Sequence, residues 1–131
     1  MNNKFKKCER LCSYKKIKQL SENGQYLCCF KTIKVQWLID VYEGVDKQVL
    51  IHVPKKCLKK AVDRNLVRRR MREVYRLYKN KLIVTCKKTL LLKYTYLLNN
   101  IASYDDIKDD ITNSINELQN IINDYPLDND E

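Results

Sequence analysis

Several things this 131-residue chain lacks narrow its class before anything it contains is weighed. No apolar run reaches 18 residues, and the first residues hold no signal-type apolar core, so nothing points to a membrane span or to export. Histidine occurs once, as His52. None of the six cysteines (Cys8, Cys12, Cys28, Cys29, Cys57, Cys86) makes a Cys-x-x-Cys pair, which argues against bound zinc. They read as reduced thiols of a cytosolic chain, with adjacent Cys28 and Cys29 on opposite faces of a strand. No Ser or Cys nucleophile is placed beside His52, and no pair of carboxylates sits in a basic cleft. The chain alone has no catalytic set and reads as a binder.

Acidic residues are scarce over most of the length. Residues 1–93 hold 25 Lys/Arg against 7 Asp/Glu, a balance of +18, whereas residues 94–131 hold Lys108 alone against 9 acids. A solubilising charge would be mixed more evenly. The net +10 implies a polyanionic partner met by the first 93 residues, with the C-terminal end facing away.

Only two glycines and two prolines occur, and none falls in Lys60–Glu73, so a helix can run through that stretch unbroken. Six of its fourteen residues are Lys or Arg. At about 100° per residue, Arg64, Arg68, Arg72 and Arg76 recur on one side with Asn65, Arg69 and Lys79. They fill an arc of roughly 140° expected to carry no apolar side chain. Val67, Met71, Val74 and Tyr78 form the opposing stripe. Arg70 projects away from the arc and is expected at the sheet rim. Glu73 is expected to pair with Arg69, Arg76 or a similar neighbour at helical spacing.

The remaining elements follow from period and punctuation. A loose basic arm is expected over residues 1–9. Ser13 then caps a short helix carrying Ile17 and Leu20, which stops at Asn23-Gly24. A short strand at Tyr26–Phe30 precedes a period-two strand through Ile33, Val35, Trp37, Ile39 and Val41. Glu43–Asp46 turns the chain into a strand at Gln48–Val53, closed by Pro54. The basic helix is predicted over Leu58–Lys79, with residues 81–88 hard to read. Thr89–Leu98 alternates as a fourth strand covered on both faces. Ser103-x-x-Asp106 resembles a capping box opening a helix whose stripe is Ile107, Ile111, Ile115, Leu118 and Ile122. Residues 1–125 read as one domain and 126–131 as an acidic disordered tail. The order helix, three strands, helix, strand, helix gives a two-layer α+β sandwich.

The stretch Lys60-Ala61-Val62-Asp63-Arg64-Asn65-Leu66-Val67-Arg68-Arg69-Arg70-Met71-Arg72-Glu73 resembles the arginine-asparagine-arginine motif of the bacterial ribonuclease P protein family. The preceding Val49–Lys56, ending in a Lys-Lys pair, matches that family's strand. Glu9-Arg10-Leu11 and Asn23-Gly24 resemble its first helix and that helix's end. The likeness runs over about residues 9–122. It departs at Cys57-Leu58-Lys59, where many relatives carry a Gly soon after the Lys pair.

The resemblance implies a fold like the second domain of a small-subunit ribosomal protein, with a left-handed strand–helix–strand crossover. Parallel strands would ordinarily be connected right-handed. It also implies a protein subunit that binds a catalytic RNA and the 5′ leader of precursor tRNA. The RNA would perform the phosphodiester hydrolysis, with Mg2+ required by the RNA–protein holoenzyme and no cofactor or metal bound by the protein alone. Lys55, Lys56, Lys60, Arg64, Asn65, Arg68, Arg69 and Arg72 fall on its RNA-binding positions. Its leader cleft uses aromatics of the first helix and the facing strand. Here those places bring Ile17, Ser21, Lys34 and Gln36, with Tyr14 and Phe30 as substitutes, so leader contact is expected to be more electrostatic than stacking. The expected location is the cytoplasm, without membrane or DNA partners. The alternative is a ribosomal or other structural RNA-binding protein without processing activity, which basicity and fold alone would also permit.

Overall fold

In the computed structural model, residues 5–27, 30–42, 44–84 and 87–124 are described. The period-two segments become strands: β1 (Gln25–Leu27), β2 (Ile33–Asp40), β3 (Lys47–His52) and β4 (Thr89–Tyr96). The helices are α1 (Tyr14–Asn23), α2 (Ala61–Tyr78) and α3 (Tyr104–Asp124), with single 3-10 turns at Lys7–Glu9 and Lys79–Lys81. The sheet order is β1-β2-β4-β3, antiparallel except for the β3–β4 pair, which is parallel and connected through α2. No helix among the described residues is long and apolar enough to cross a membrane.

Register divides the sheet into two faces, because successive side chains alternate. Ile33, Val35 and Trp37 of β2 share one face with Leu90, Leu92, Tyr94 and Tyr96 of β4 and Val49 of β3. That face is buried with Val67, Met71, Val74 and Tyr75 of α2 and with all five predicted apolar residues of α3. On the other face α1 covers only half of the sheet. There Leu11, Leu20 and Leu91 are buried, with Ile17, Leu38 and Leu50 packed around them.

The turn into β3 does not make a hairpin. β4 lies between β2 and β3, and the connecting loop is clasped over its start: the Thr89 hydroxyl donates to the Val45 carbonyl at 2.7 Å, and the Leu90 N–H to the Asp46 carbonyl at 2.8 Å. Gly44, at φ +92°, supplies the left-handed turn residue.

Gly24 ends α1 for a different reason than a left-handed cap. Its φ is −70°, but a Cβ there would overlap the Leu20 carbonyl oxygen and sit 2.9 Å from Gln36 Cγ. At the other end of α1 the Ser13 hydroxyl accepts from the Lys16 N–H as expected (3.4 Å). The Ser103 hydroxyl likewise accepts from Asp106 N–H (3.1 Å). The basic helix starts later than predicted because residues 55–57 form a turn, in which Cys57 N–H donates to the Pro54 carbonyl.

The largest departure is at the N-terminus. Residues 5–9, expected to be loose, are held down. Phe5 lies edge-on to Tyr75, with ring centroids 5.5 Å apart. Glu9 pairs with Lys79. Arg10 bridges Val49 in parallel, and Leu11 N–H donates to the Val49 carbonyl at 2.9 Å. This segment caps the exposed edge of β3, and Glu9-Arg10-Leu11 precedes α1 rather than belonging to it. Cys28, Cys29, Cys86 and the expected acidic tail at 126–131 lie outside the described residues.

Candidate nucleic-acid interface

α2 sorts its side chains nearly as its sequence demands, with two corrections. Tyr75 projects between Arg64 and Arg68, so the basic arc does contain a hydrophobic ring, and that ring is fully buried. Lys79, placed on the arc by spacing, is 3% exposed. Both are buried because Phe5 and Glu9 arrive from far away in sequence and widen the covered side of the helix. Burial lifts the Tyr75 hydroxyl's pKa well above its ordinary value. Tyr78, expected in the buried stripe, is only half-buried, with Lys81 and Lys108 over its ring.

Four groups of the arc take distinct positions. Arg64 Nη1 donates to the Leu58 and Lys59 carbonyls, both at 2.9 Å, and so fixes the loop that leads into α2. Arg68 Nη1 donates to Asn65 Oδ1 at 2.7 Å, which sets its fork against an exposed amide. Arg72 is exposed. Its guanidinium pKa is lowered first by partial burial, then by the charges of Arg10 and Arg68. Arg76 forms a two-point pair with Glu73 (Nη2–Oε2 2.7 Å, Nε–Oε1 3.1 Å), so its charge is already matched. That bonding also holds the Glu73 carboxyl below its usual pKa.

Arg69 is set apart from this group. It lines a shallow groove with Leu66, Arg70, Glu73 and Tyr104 on the α3 side. Arg70 is off the arc, as expected. It reaches the Ala102 carbonyl (2.7 Å) in the segment before α3 rather than the sheet rim. Lys55, Lys56 and Lys60 are exposed along the approach to α2.

The open half of the sheet continues the basic surface. Across its end run Lys34, Thr95 and His52 in register, with Lys93 in the next row. Lys34 Nζ stands 5.2 Å from the Tyr26 ring centroid. The His52 imidazole holds its proton more weakly than usual, first through partial burial and then through the charges of Lys93 and Arg68. A cation on α2 and one on the sheet therefore both act electrostatically on this ring, so the two basic regions lie near each other.

Tyr26, His52, Lys93 and Arg10 were not among the expected site residues. Lys93 had a signal: it is the polar position between Leu91 and Leu92 on one side and Tyr94 on the other, on the strand face opposite Leu92 and Tyr94.

The expected cleft residues are brought together only in part. Gln36 is 4% exposed, and its amide donates to the Leu20 carbonyl at 2.8 Å, so it closes the end of α1 rather than facing a ligand. Phe30 packs against the core on the opposite side of the sheet. Ile17 is tucked under α1 with Leu11 and Leu20. Tyr14, at 80% exposure, Ser21 and Lys34 stay accessible.

The ribonuclease P family profile matches residues 5–119 of the sequence. The chain belongs to the ribonuclease P protein family. Solved structures of that family share its architecture. The ribonuclease P protein of Thermotoga maritima is similar with a TM-score of 0.67 at 19% identity, covering 83% of this chain and 96% of that one. That of Staphylococcus aureus is similar with a TM-score of 0.66 at 15% identity, covering 87% and 97%. Among curated protein sequences there is no match. At such identities the structures establish the fold alone, while the profile match establishes the family. In this ribonuclease P protein, the departure at Cys57-Leu58-Lys59 is accommodated by Leu58 going into the core and by Cys57 Sγ donating to the Tyr96 carbonyl at 3.4 Å.

Proposed function

We propose that this ribonuclease P protein subunit uses the α2 arc and the open half of the sheet to hold two RNAs at once. Arg64, Arg68 and Arg72, with Asn65, Lys55, Lys56 and Lys60, contact the catalytic RNA. Lys34, Tyr26, Lys93 and His52, with Tyr14 and Ser21 at the rim, contact the 5′ leader of precursor tRNA. The observation that carries this reading is the row of Lys34, Thr95 and His52 in register across the end of the sheet, with Lys93 in the next row. Guanidinium forks match phosphate oxygens in pairs, and each neutralised phosphate releases counterions. Tyr26 adds an exposed ring on which a base can stack, with Lys34 beside it.

The protein's residues bind and orient. Among its described residues no group of three His, Cys, Asp or Glu side chains could hold a metal ion. Hydrolysis of the leader phosphodiester, and the Mg2+ that supports it, is assigned to the partner RNA in the holoenzyme, acting in the cytoplasm.

The test is to mix purified protein with a bacterial ribonuclease P RNA and precursor tRNA at low magnesium. Faster leader removal than with RNA alone is expected. No acceleration, despite tight RNA binding, would leave a structural RNA-binding protein instead. Lys34→Ala should weaken binding of leader-bearing substrate more than of mature tRNA, and equal loss for both would remove the sheet face from the leader site.

A further inference from the structure

Arg10 is brought to α2 by a segment that precedes the arginine-asparagine-arginine stretch but lies within the family match. The chain from Phe5 to Leu11 runs along the outer edge of β3 and is tied down at both ends: Phe5 meets Tyr75, and Leu11 is buried and bonded to Val49. Between them Glu9 Oε1 lies 2.5 Å from the buried Lys79 ammonium, and Gln48 Nε2 donates to the Cys8 carbonyl at 3.1 Å.

This anchoring leaves the Arg10 guanidinium over the Phe5 ring, 5.4 Å from its centroid. Arg10 and Arg72 line the same cleft of about 110 Å³, whose floor is Leu11, Val49, Leu50 and Ile51. Two like charges thus line one small hollow over an apolar floor, and the Arg10 charge lowers the Arg72 pKa after partial burial does. Among the described residues neither guanidinium pairs with a carboxylate. Such an arrangement is unfavourable in the free protein and is relieved by an anion between the two groups. Arg68, one turn from Arg72, joins the hollow to the rest of the basic surface.

We propose that Arg10 and Arg72 clamp a single backbone phosphate of the bound RNA, and that Glu9, through Lys79, is the positioning residue that holds Arg10 in place. The proposal rests on the RNA-binding reading above. Its distinct content is that the RNA-binding face is assembled from two distant parts of the chain, with an acidic residue needed to complete it. A clamp on one phosphate makes its two halves interdependent. Two independent contacts would not be.

The full-length chain is titrated with a bacterial ribonuclease P RNA transcript over a range of salt concentrations. Arg10→Ala and Arg72→Ala should each weaken binding about tenfold and make the salt slope shallower by about 0.7–0.9. The double variant should be little weaker than either single one. Glu9→Gln should weaken binding, and adding Arg10→Ala to it should cost little more. Arg10→Lys should restore the salt slope but only part of the affinity, since it returns the charge without the fork. Circular dichroism on each variant verifies folding; Arg10 is exposed, so its substitutions leave the core untouched.

Wild-type affinity and slope for Arg10→Ala, in a series where Arg68→Ala binds weakly, would overturn the clamp and leave the RNA-binding reading standing. Fully additive losses in the double variant would also overturn it. Failure of the wild-type chain to bind the RNA would overturn both readings.

Discussion

Helices α2 and α3 lie side by side on the same face of one sheet and bury the same kind of stripe, yet they meet solvent with opposite charge. α2 turns Val67, Met71 and Val74 inward, and α3 turns Ile107, Ile111, Ile115, Leu118 and Ile122 inward. Outward, α2 presents Arg68, Arg69 and Arg72, whereas α3 presents Asp105, Asp106, Asp109 and Glu117. The inward faces fix the fold and are equivalent in kind. The outward faces decide where a polyanion can approach, because repulsion from α3 and attraction to α2 orient it before contact. An exception on each helix marks where charge was recruited for structure instead. Arg70 ties α2 to Ala102. Asp110, buried in α3, accepts from both the N–H (2.7 Å) and the hydroxyl (2.5 Å) of Thr32.

The strongest way to break the equivalence of the inward faces is to truncate them. Met71→Ala and Ile111→Ala should each cost about 2–5 kcal/mol in urea unfolding, since both side chains are fully buried. A far smaller loss at one of them would show that one helix carries the core alone.

The outward faces are compared next. Arg68→Ala combined with Arg72→Ala should weaken RNA binding by about ten- to a hundredfold and make the salt slope shallower by about one to two units, with the circular dichroism spectrum intact. Asp105→Asn with Asp109→Asn on α3, and Arg70→Ala on α2, should change the slope little. Unfolding by the arginine substitutions would mean that the arc is structural rather than a binding face.

A third comparison lies within α3. Asp110→Ala leaves two Thr32 donors without their partner and should cost about 1–3 kcal/mol. Asp109→Ala, exposed one residue earlier, should stay within about 0.5 kcal/mol. Equal effects, measured by thermal unfolding, would remove the distinction between recruited and solvent-facing acids.

The smallest effect concerns pH. His52 has its pKa lowered below 6.5 by burial, Lys93 and Arg68, so the folded free protein binds that proton less readily than the unfolded chain. Its contribution to stability is therefore present above pH 6.5 and declines as the pH falls below that value. A phosphate beside the ring would raise the pKa again, so RNA binding should tighten as pH falls from 7.5 to 6.0, on the order of twofold. His52→Asn should flatten that dependence, as read by binding titrations at fixed salt.

Much of this was legible in the residues themselves. The period-two run of β2, the Ser13 and Ser103 caps and the α3 stripe depend on neighbours within a few positions, and each appears where its pattern places it, except that β2 ends at Asp40 and leaves Val41 exposed. So does the outward direction of Arg68, Arg69 and Arg72, since helical spacing alone sets it. Gln36 was misjudged because alternation shows which side of a strand a residue occupies but not that a helix end will cover it.

What α2 presents to solvent was thus determined by its own sequence: a helix without Gly or Pro, apolar at one set of angles and cationic at another. Where that face ends was decided only by the tertiary structure. Phe5 and Glu9 cover Tyr75 and bury Lys79, Arg10 is carried to Arg72, and β4 inserts between β2 and β3 to set Lys93 beside His52. Each of these joins residues distant along the chain, and helix or strand periodicity carries no information about such contacts.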